Sequence, residues 1–154
     1  MLISKQANIS IGTNCRFLSH SKFNLAGINR PCCICVKDNA RLIIGDNSGF
    51  SGVSIYSANS IIIGSYVNCG VNASIWDTDF HPLYFIDRRN HNLEKIKTSP
   101  ITIGDDVFVG ANSIILKGVN VGDRAVIGFG SIVTEDIPSD QVWAGNPAKY
   151  IKTL

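Results

Sequence analysis

Isoleucine or valine falls at every sixth position from residue 103 to residue 133: Ile103, Val109, Ile115, Val121, Ile127 and Val133. Neither the helical period of about 3.6 residues nor the strand period of two predicts that spacing. Four residues after each aliphatic comes a small or β-branched residue: Val107, Ser113, Val119, Ala125, Ser131 and Ile137. A chain that sends one aliphatic inward every six residues coils around an axis in flat segments, and a hexapeptide period marks a β-helix. Three hexads make one turn of about eighteen residues, which buries its inner face only by stacking on its neighbours. The small residue fits the tight corner. Gly104, Gly110, Gly122 and Gly128 directly follow their aliphatics and are expected to open corners with φ > 0. Asp46-Asn47, Asp105-Asp106 and Asp123 are expected to do the same. The predicted class is all-β: a triangular prism of three parallel sheets.

The register continues upstream as Ile44, Phe50 and Tyr56, then, after one extra residue near Ile62, as Ile63, Cys69 and Ile75. Ser48, Ser54, Ser60, Val67 and Ala73 take the small position, and Ile11-Gly12, Cys15 and Phe17 form a fainter first copy. The 154 residues are expected to form one domain. Its parts are irregular N-terminal coils over 1–40, regular coils over 41–76, a protruding loop over 77–100, regular coils over 101–137, and a cap over 138–154 whose short tail is a helix candidate.

Hydrophobic residues make up 45 % of the chain and charged residues 17 %, with mean hydropathy +0.15. That is apolar for a soluble chain and points to an outer wall buried in an oligomer. A net charge of +2 is too small and dispersed to favour nucleic acid as partner. No run of about eighteen apolar residues is present, so no membrane span is expected. Met1-Leu2-Ile3-Ser4-Lys5 is not a signal-peptide apolar core, which predicts a cytoplasmic protein. Of the five cysteines, Cys15 and Cys69 fall in hexad core positions. Cys32, Cys33 and Cys35 cluster, but lack a second ligand pair at zinc spacing, so they read as packing residues and no metal is expected.

The repeat fails once, between Ile75 and Ile103. Long loops that interrupt a rigid scaffold tend to carry function. Within this one, Asp77, Asp79 and His81 alternate, and in an extended segment all three would share a face. A carboxylate beside a histidine fixes its tautomer and raises its basicity, as a general base requires. An Asp-rich turn with a solvated histidine is the alternative.

Four stretches carry a resemblance. They are Trp76-Asp-Thr-Asp-Phe-His-Pro82, the hexads from Ile103 to Gly122, Val126-Ile-Gly-Phe-Gly-Ser-Ile-Val-Thr134, and Val142-Trp-Ala-Gly-Asn-Pro-Ala-Lys149. Over about residues 40–154 the chain resembles the left-handed β-helix, hexapeptide-repeat acyltransferases. Within them it is similar to the sugar O-acetyltransferase branch of galactoside, maltose and nodulation-factor acetyltransferases. The resemblance implies a left-handed coil, a homotrimer, and acetyl-CoA as co-substrate in a groove between adjacent prisms. It also implies His81 as catalytic base, with Asp79 beside it. His81 would take the proton from an acceptor hydroxyl attacking the thioester and return it to the departing thiolate. Backbone N–H groups would hold the oxyanion.

For CoA the resemblance implies Gly110, Ala111, Phe129, Thr134, Glu135, Lys149 and Lys152, with the lysines facing phosphates. Phe129 replaces the family's usual alanine, and Lys149 often corresponds to arginine, which would grip phosphate bidentately. Trp143 either stacks on adenine or caps the last coil. Trp76, Asn72, Tyr84 and Arg88 are candidates for the sugar pocket.

The leading expectation is an acetyl-CoA-dependent O-acetyltransferase acting on a sugar or surface-polysaccharide precursor. The alternative is an N-acetyltransferase on an amino sugar, or a serine-type enzyme, although the additional N-terminal domains usual in those enzymes are not evident in residues 1–40. A zinc-dependent carbonic anhydrase needs histidines from neighbouring coils, and this chain lacks that pattern. A non-catalytic scaffold or ice-binding surface would show Thr-x-Thr arrays, and none appear.

Overall fold

Alternation inside each short strand decides what faces the axis. In Cys33–Val36, Ile34 and Val36 are buried while Cys33 and Cys35 point outward, and the strands Arg41–Ile44, Ser54–Ser57 and Ser60–Ile63 split the same way. Parallel pairing then stacks the inward residues in columns. Ile63, Ile103 and Val121 form one, Cys69, Val109 and Ile127 a second, and Ile75, Ile115 and Val133 a third. In the computed structural model, which describes residues 1–154, three sheets of six, five and seven strands result. They are the faces of a prism. The first face includes Ser54–Ser57, Ser74–Trp76, Ile114–Leu116 and Ile132–Val133. The second includes Arg41–Ile44, Ser60–Ile63 and Ile101–Ile103, and the third Gly49–Ser51, Asn68–Cys69, Phe108–Val109 and Val126–Ile127. One cluster of 26 buried residues from Ile34 to Ala148 fills the axis, and each fully buried aliphatic there contributes about 1.5–3 kcal/mol.

The small position earns its name in the buried serines. Ser113 Oγ donates to Gly128 O (2.8 Å) and accepts from Ser131 N (3.2 Å), while Ser131 Oγ donates to Gly128 O (2.7 Å) and accepts from Gly145 N (3.1 Å). Every buried hydroxyl of this ladder is therefore satisfied, which removes the cost of burying it.

The corner glycines behave differently from expectation. Positive φ recurs every six residues, but at Asp106 (58°), Asn112 (58°), Gly118 (83°), Arg124 (60°) and Gly130 (66°), not at Gly104, Gly110, Gly122 or Gly128. Asn47 (57°) and Asp106 meet the expectation, whereas Asp46, Asp105 and Asp123 do not. The glycines that follow the aliphatics answer to stacking instead. A Cβ on Gly110 would stand 2.6 Å from both Ile127 O and Phe129 N of the next coil.

Two further corrections concern register. Ile55, not Tyr56, points inward, and Tyr56 faces out beside Trp76. The step from buried Phe50 to buried Ile55 is five residues, one short of the period, and the corner between them holds Gly52 (φ 59°), where a Cβ would approach Arg30 O to 2.8 Å. The N-terminal third is a coil of its own: Leu2–Ile3, Asn8–Ile11 and Arg16–Leu18 pair with strands thirty-three positions later. Its repeat is hidden by an insertion that holds a short 3₁₀ turn at Ser21–Phe23.

The C-terminal tail is an antiparallel hairpin of Gln141–Gly145 and Ala148–Thr153, not a helix. Its first strand continues the third face, so ladder pairing to Val126–Ile127 overrides any local helical preference.

Candidate active site

The loop leaves the prism at the corner between the first and second faces, after Trp76, and rejoins it at Ile101. Its removal from the count leaves no gap in the stack: Trp76 pairs with Leu116 and Ile63 with Ile103, each forty positions apart. A short antiparallel stem closes the loop. Thr78 bridges Thr98, Asp79 N donates to Lys97 O (3.0 Å) and Ser99 N donates to Asp77 O (3.0 Å).

The three alternating residues do not share a face. Phe80 has φ 62°, and His81 N donates to Asp79 O at 2.7 Å, so the chain turns between Asp79 and His81. Asp77 is fully buried. Its carboxylate accepts from Ala58 N (2.6 Å), Asn59 N (2.9 Å) and Ser57 Oγ (3.0 Å), which pins the loop to the coil below. Asp79 Oδ1 is paired with Lys117 Nζ at 2.6 Å, and its buried Oδ2 has no hydrogen-bond partner. His81 is exposed at the end of the stem and its imidazole is free of hydrogen bonds within the chain.

Aromatic packing fixes the residue before it. Phe80 meets Tyr56 (4.8 Å) and Trp76 (5.4 Å) edge to face, contacts worth about 0.5–1.5 kcal/mol each. Trp76 Nε1 donates to Ser54 Oγ (3.2 Å). Beneath the loop the Tyr56 and Phe80 rings border a cavity of about 300 Å³, lined also by Lys37, Ala58, Thr78, Leu93 and Ile96, among others. None of these was expected from the sequence to line a site. They lie on segments far apart in the chain, and no local spacing links them.

The remaining candidates fall in four places. Arg88, on the helix Phe85–Arg89, donates to Pro82 O (2.9 Å) and Leu83 O, and so braces the turn after His81; Tyr84 is exposed just before that helix. Asn72 is committed elsewhere: its side chain accepts from Asn29 N (3.2 Å) and donates to Gly27 O (3.1 Å). Gly110, Ala111 and Phe129 stack at the corner between the third and first faces, where Gly130 N donates to Ala111 O (2.9 Å) and Phe129 is 74 % exposed.

Thr134 and Glu135 follow the last first-face strand, and Glu135 is paired with Lys149 at 2.9 Å. Lys152 lies opposite Val142 in the hairpin. Trp143 occupies the register of Ile127, packs on the end of the core, and donates from Nε1 to Gln141 Oε1 (2.8 Å).

Burial, with a smaller contribution from nearby Cys32, pushes the Cys69 thiol up to about 12. It is therefore a poor nucleophile. No group of three or more metal-ligating side chains converges in the chain.

The hexapeptide prism has known counterparts. The family described as hexapeptide repeat of succinyl-transferase matches residues 100–135. The chain is 38 % identical over 116 residues to the Saccharomyces cerevisiae protein YJL218W, which carries an acetyltransferase name, covering 75 % of this chain and 57 % of that one. It is 52 % identical over 60 residues to the 2,3,4,5-tetrahydropyridine-2,6-dicarboxylate N-acetyltransferase of Staphylococcus aureus, covering 39 % and 25 %. A galactoside acetyltransferase solved in complex with coenzyme A is 32 % identical, with TM-score 0.73 over 96 % of this chain and 65 % of that one. The chain thus spans a little over half of the first curated relative and a quarter of the second. Its prism is a left-handed β-helix, as in the hexapeptide-repeat acetyltransferases to which it is similar.

Proposed function

We propose that the protein is an acetyl-CoA-dependent O-acetyltransferase that acylates a hydroxyl of a sugar or surface-polysaccharide precursor. The observation that carries this is the placement of His81: a solvent-facing imidazole with both nitrogens free, held on a braced turn at the only loop that leaves the repeat between its regular coils. Neutral His81 removes the acceptor proton as the oxygen attacks the thioester carbonyl, then protonates the departing thiolate. The charge balance closes without an acyl-enzyme, in keeping with the buried thiol of Cys69. The similarity to a galactoside acetyltransferase crystallised with coenzyme A supports the donor.

Base and donor wall sit apart in one chain. His81 extends from the corner between the first and second faces, and Ala111 and Phe129 occupy the corner between the third and first. They border opposite edges of the first face, whose outward column of Leu2, Cys35, Tyr56, Trp76 and Leu116 is apolar. A homotrimer with its CoA sites between subunits brings the loop of one chain to the wall of the next. Gly110, Thr134, Glu135, Trp143, Lys149 and Lys152 complete the proposed CoA surface, and Asn72, Trp76, Tyr84 and Arg88 remain the proposed acceptor contacts. The paired Glu135 and Lys149 would have to part for the lysine to meet a phosphate.

The N-acetyltransferase alternative is favoured by the 60-residue match to the staphylococcal enzyme. One experiment separates the two: purified protein with acetyl-CoA, a panel of sugars and the matching amino sugars, reading free thiol. Thiol release with sugars lacking an amine supports O-transfer. Release confined to amines supports the alternative, and no release with any acceptor defeats both.

A further inference from the structure

The geometry points to the cavity beneath the His81 loop as a subsite for the acceptor, one that selects a ring bearing a negative charge, with Lys37 as counter-ion. This inference rests on the acetyltransferase reading but names what that reading leaves open, the class of acceptor.

The walls suit a ring. Tyr56 and Phe80 present aromatic surface from the prism and the loop, and Leu93 and Ile96 close it from the returning limb of the loop. Thr78 and Thr98 supply hydroxyls at the stem. A volume of about 300 Å³ lies at the lower end of small-ligand pockets, which are mostly apolar with a few placed polar groups.

Charge decides the class. Lys37 is the only charged side chain on the lining, and it is absent from the three ion pairs of the chain, Lys117–Asp79, Arg124–Asp140 and Lys149–Glu135. Its backbone is fixed, because Lys37 N donates to Ser57 O at 2.9 Å. An unpaired cation at the edge of an aromatic pocket favours a carboxylate or phosphate on the bound ring.

Position links the cavity to the chemistry. Phe80, which lines it, directly precedes His81, and Thr78 belongs to the stem that bears Asp79. A ring seated there is next to the turn that presents the imidazole. The Ala111–Phe129 corner lies across the first face, so this subsite and the proposed donor wall do not compete for the same surface.

The test uses the intact protein without acetyl-CoA. Binding of glucuronate, glucose 1-phosphate and glucose is followed by ligand-observed NMR, for wild type, Lys37→Gln and Ala58→Leu, the last intended to fill the cavity. One or both anions should bind and glucose should not. The better anion tells whether carboxylate or phosphate is preferred. Lys37→Gln should weaken anion binding about ten- to a hundredfold, the range of one charge-assisted hydrogen bond, and Ala58→Leu should abolish it. Equal binding of glucose and the anions, no binding of any of the three, or undiminished anion binding to Lys37→Gln overturns the inference. Thiol release from acetyl-CoA is read separately. Selective binding with no release under any acceptor defeats the acetyltransferase reading and leaves the subsite standing. Release that is equal for neutral and anionic acceptors defeats the subsite and leaves the reading standing.

Discussion

Lys117 Nζ stands 2.6 Å from Asp79 Oδ1, and this pair ties the coil after the break to the stem that presents His81. The next residue completes the clamp: Gly118 N donates to Ser99 O (3.2 Å) and Pro100 O (3.1 Å), at the other end of the loop. One corner of the prism thus holds both limbs of the loop.

Removal of Lys117 leaves a mostly buried carboxylate without its counter-ion. Lys117→Met is expected to cost about 1–2 kcal/mol in stability. It should also lower turnover by about tenfold or more, since a small displacement of a catalytic group is costly. Lys117→Arg should restore most of both. Chemical denaturation and thiol-release assays on the two variants check this, and full activity in Lys117→Met would separate the pair from catalysis.

The His81 side chain is exposed and makes no hydrogen bond within the chain. His81→Ala should therefore unfold at the wild-type temperature while losing about a hundredfold to ten-thousandfold in rate, the contribution of a positioned base. A variant that retains its rate excludes His81 as the base.

The glycines separate two physical causes that a sequence cannot. Gly110→Ala drives a methyl group into backbone of the next coil, 2.6 Å from Ile127 O and Phe129 N, and should cost about 3 kcal/mol or more. Gly130→Ala has open space around it but keeps φ near 66°, so it should cost only about 1 kcal/mol. Equal losses in urea denaturation would refute the distinction.

Much of the architecture was legible because one constraint repeats. An aliphatic every six residues fixes inward columns, and the failure of the period between Ile75 and Ile103 marks the loop. The first coil was obscured because its partners lie thirty-three positions away, beyond an insertion. Tyr56 was misplaced because one step of the repeat, from Phe50 to Ile55, is five residues instead of six. At the site, the sequence placed His81 on a loop but could not show that Phe80 turns the chain, that Asp77 is buried, or that Asp79 faces Lys117. Those depend on contacts across tens of residues, as do the cavity walls from Lys37 to Ile96.

Cys69 gives the stability a defined alkaline limit. Its folded thiol titrates near 12, above the ordinary 9.0, so the folded state holds a proton that the unfolded chain releases between those values. This contribution is whole below about pH 9 and is lost as pH rises toward 12, by about 1.4 kcal/mol per unit. Unfolding free energies measured from pH 8 to 11 should fall with that slope added, and Cys69→Ala should remove it. An unchanged slope in the variant would assign the alkaline loss to other groups.

The separation of His81 from the Ala111–Phe129 corner makes the proposed trimer testable by mixing. His81→Ala has an intact donor wall and a dead loop. Phe129→Glu, which puts a carboxylate where the thioester arm is proposed to lie, has an intact loop and a dead wall. Each alone should be inactive. When the two are unfolded together and refolded, a ring of mixed chains places some intact loops against intact walls, at roughly a quarter of the interfaces for random assembly. Thiol release should return to about that fraction of the wild-type rate, and sedimentation should give three chains per particle. No recovery in particles shown to be mixed would mean that each chain builds its site alone, and the acetyl donor would have to be sought along the first face of a single prism.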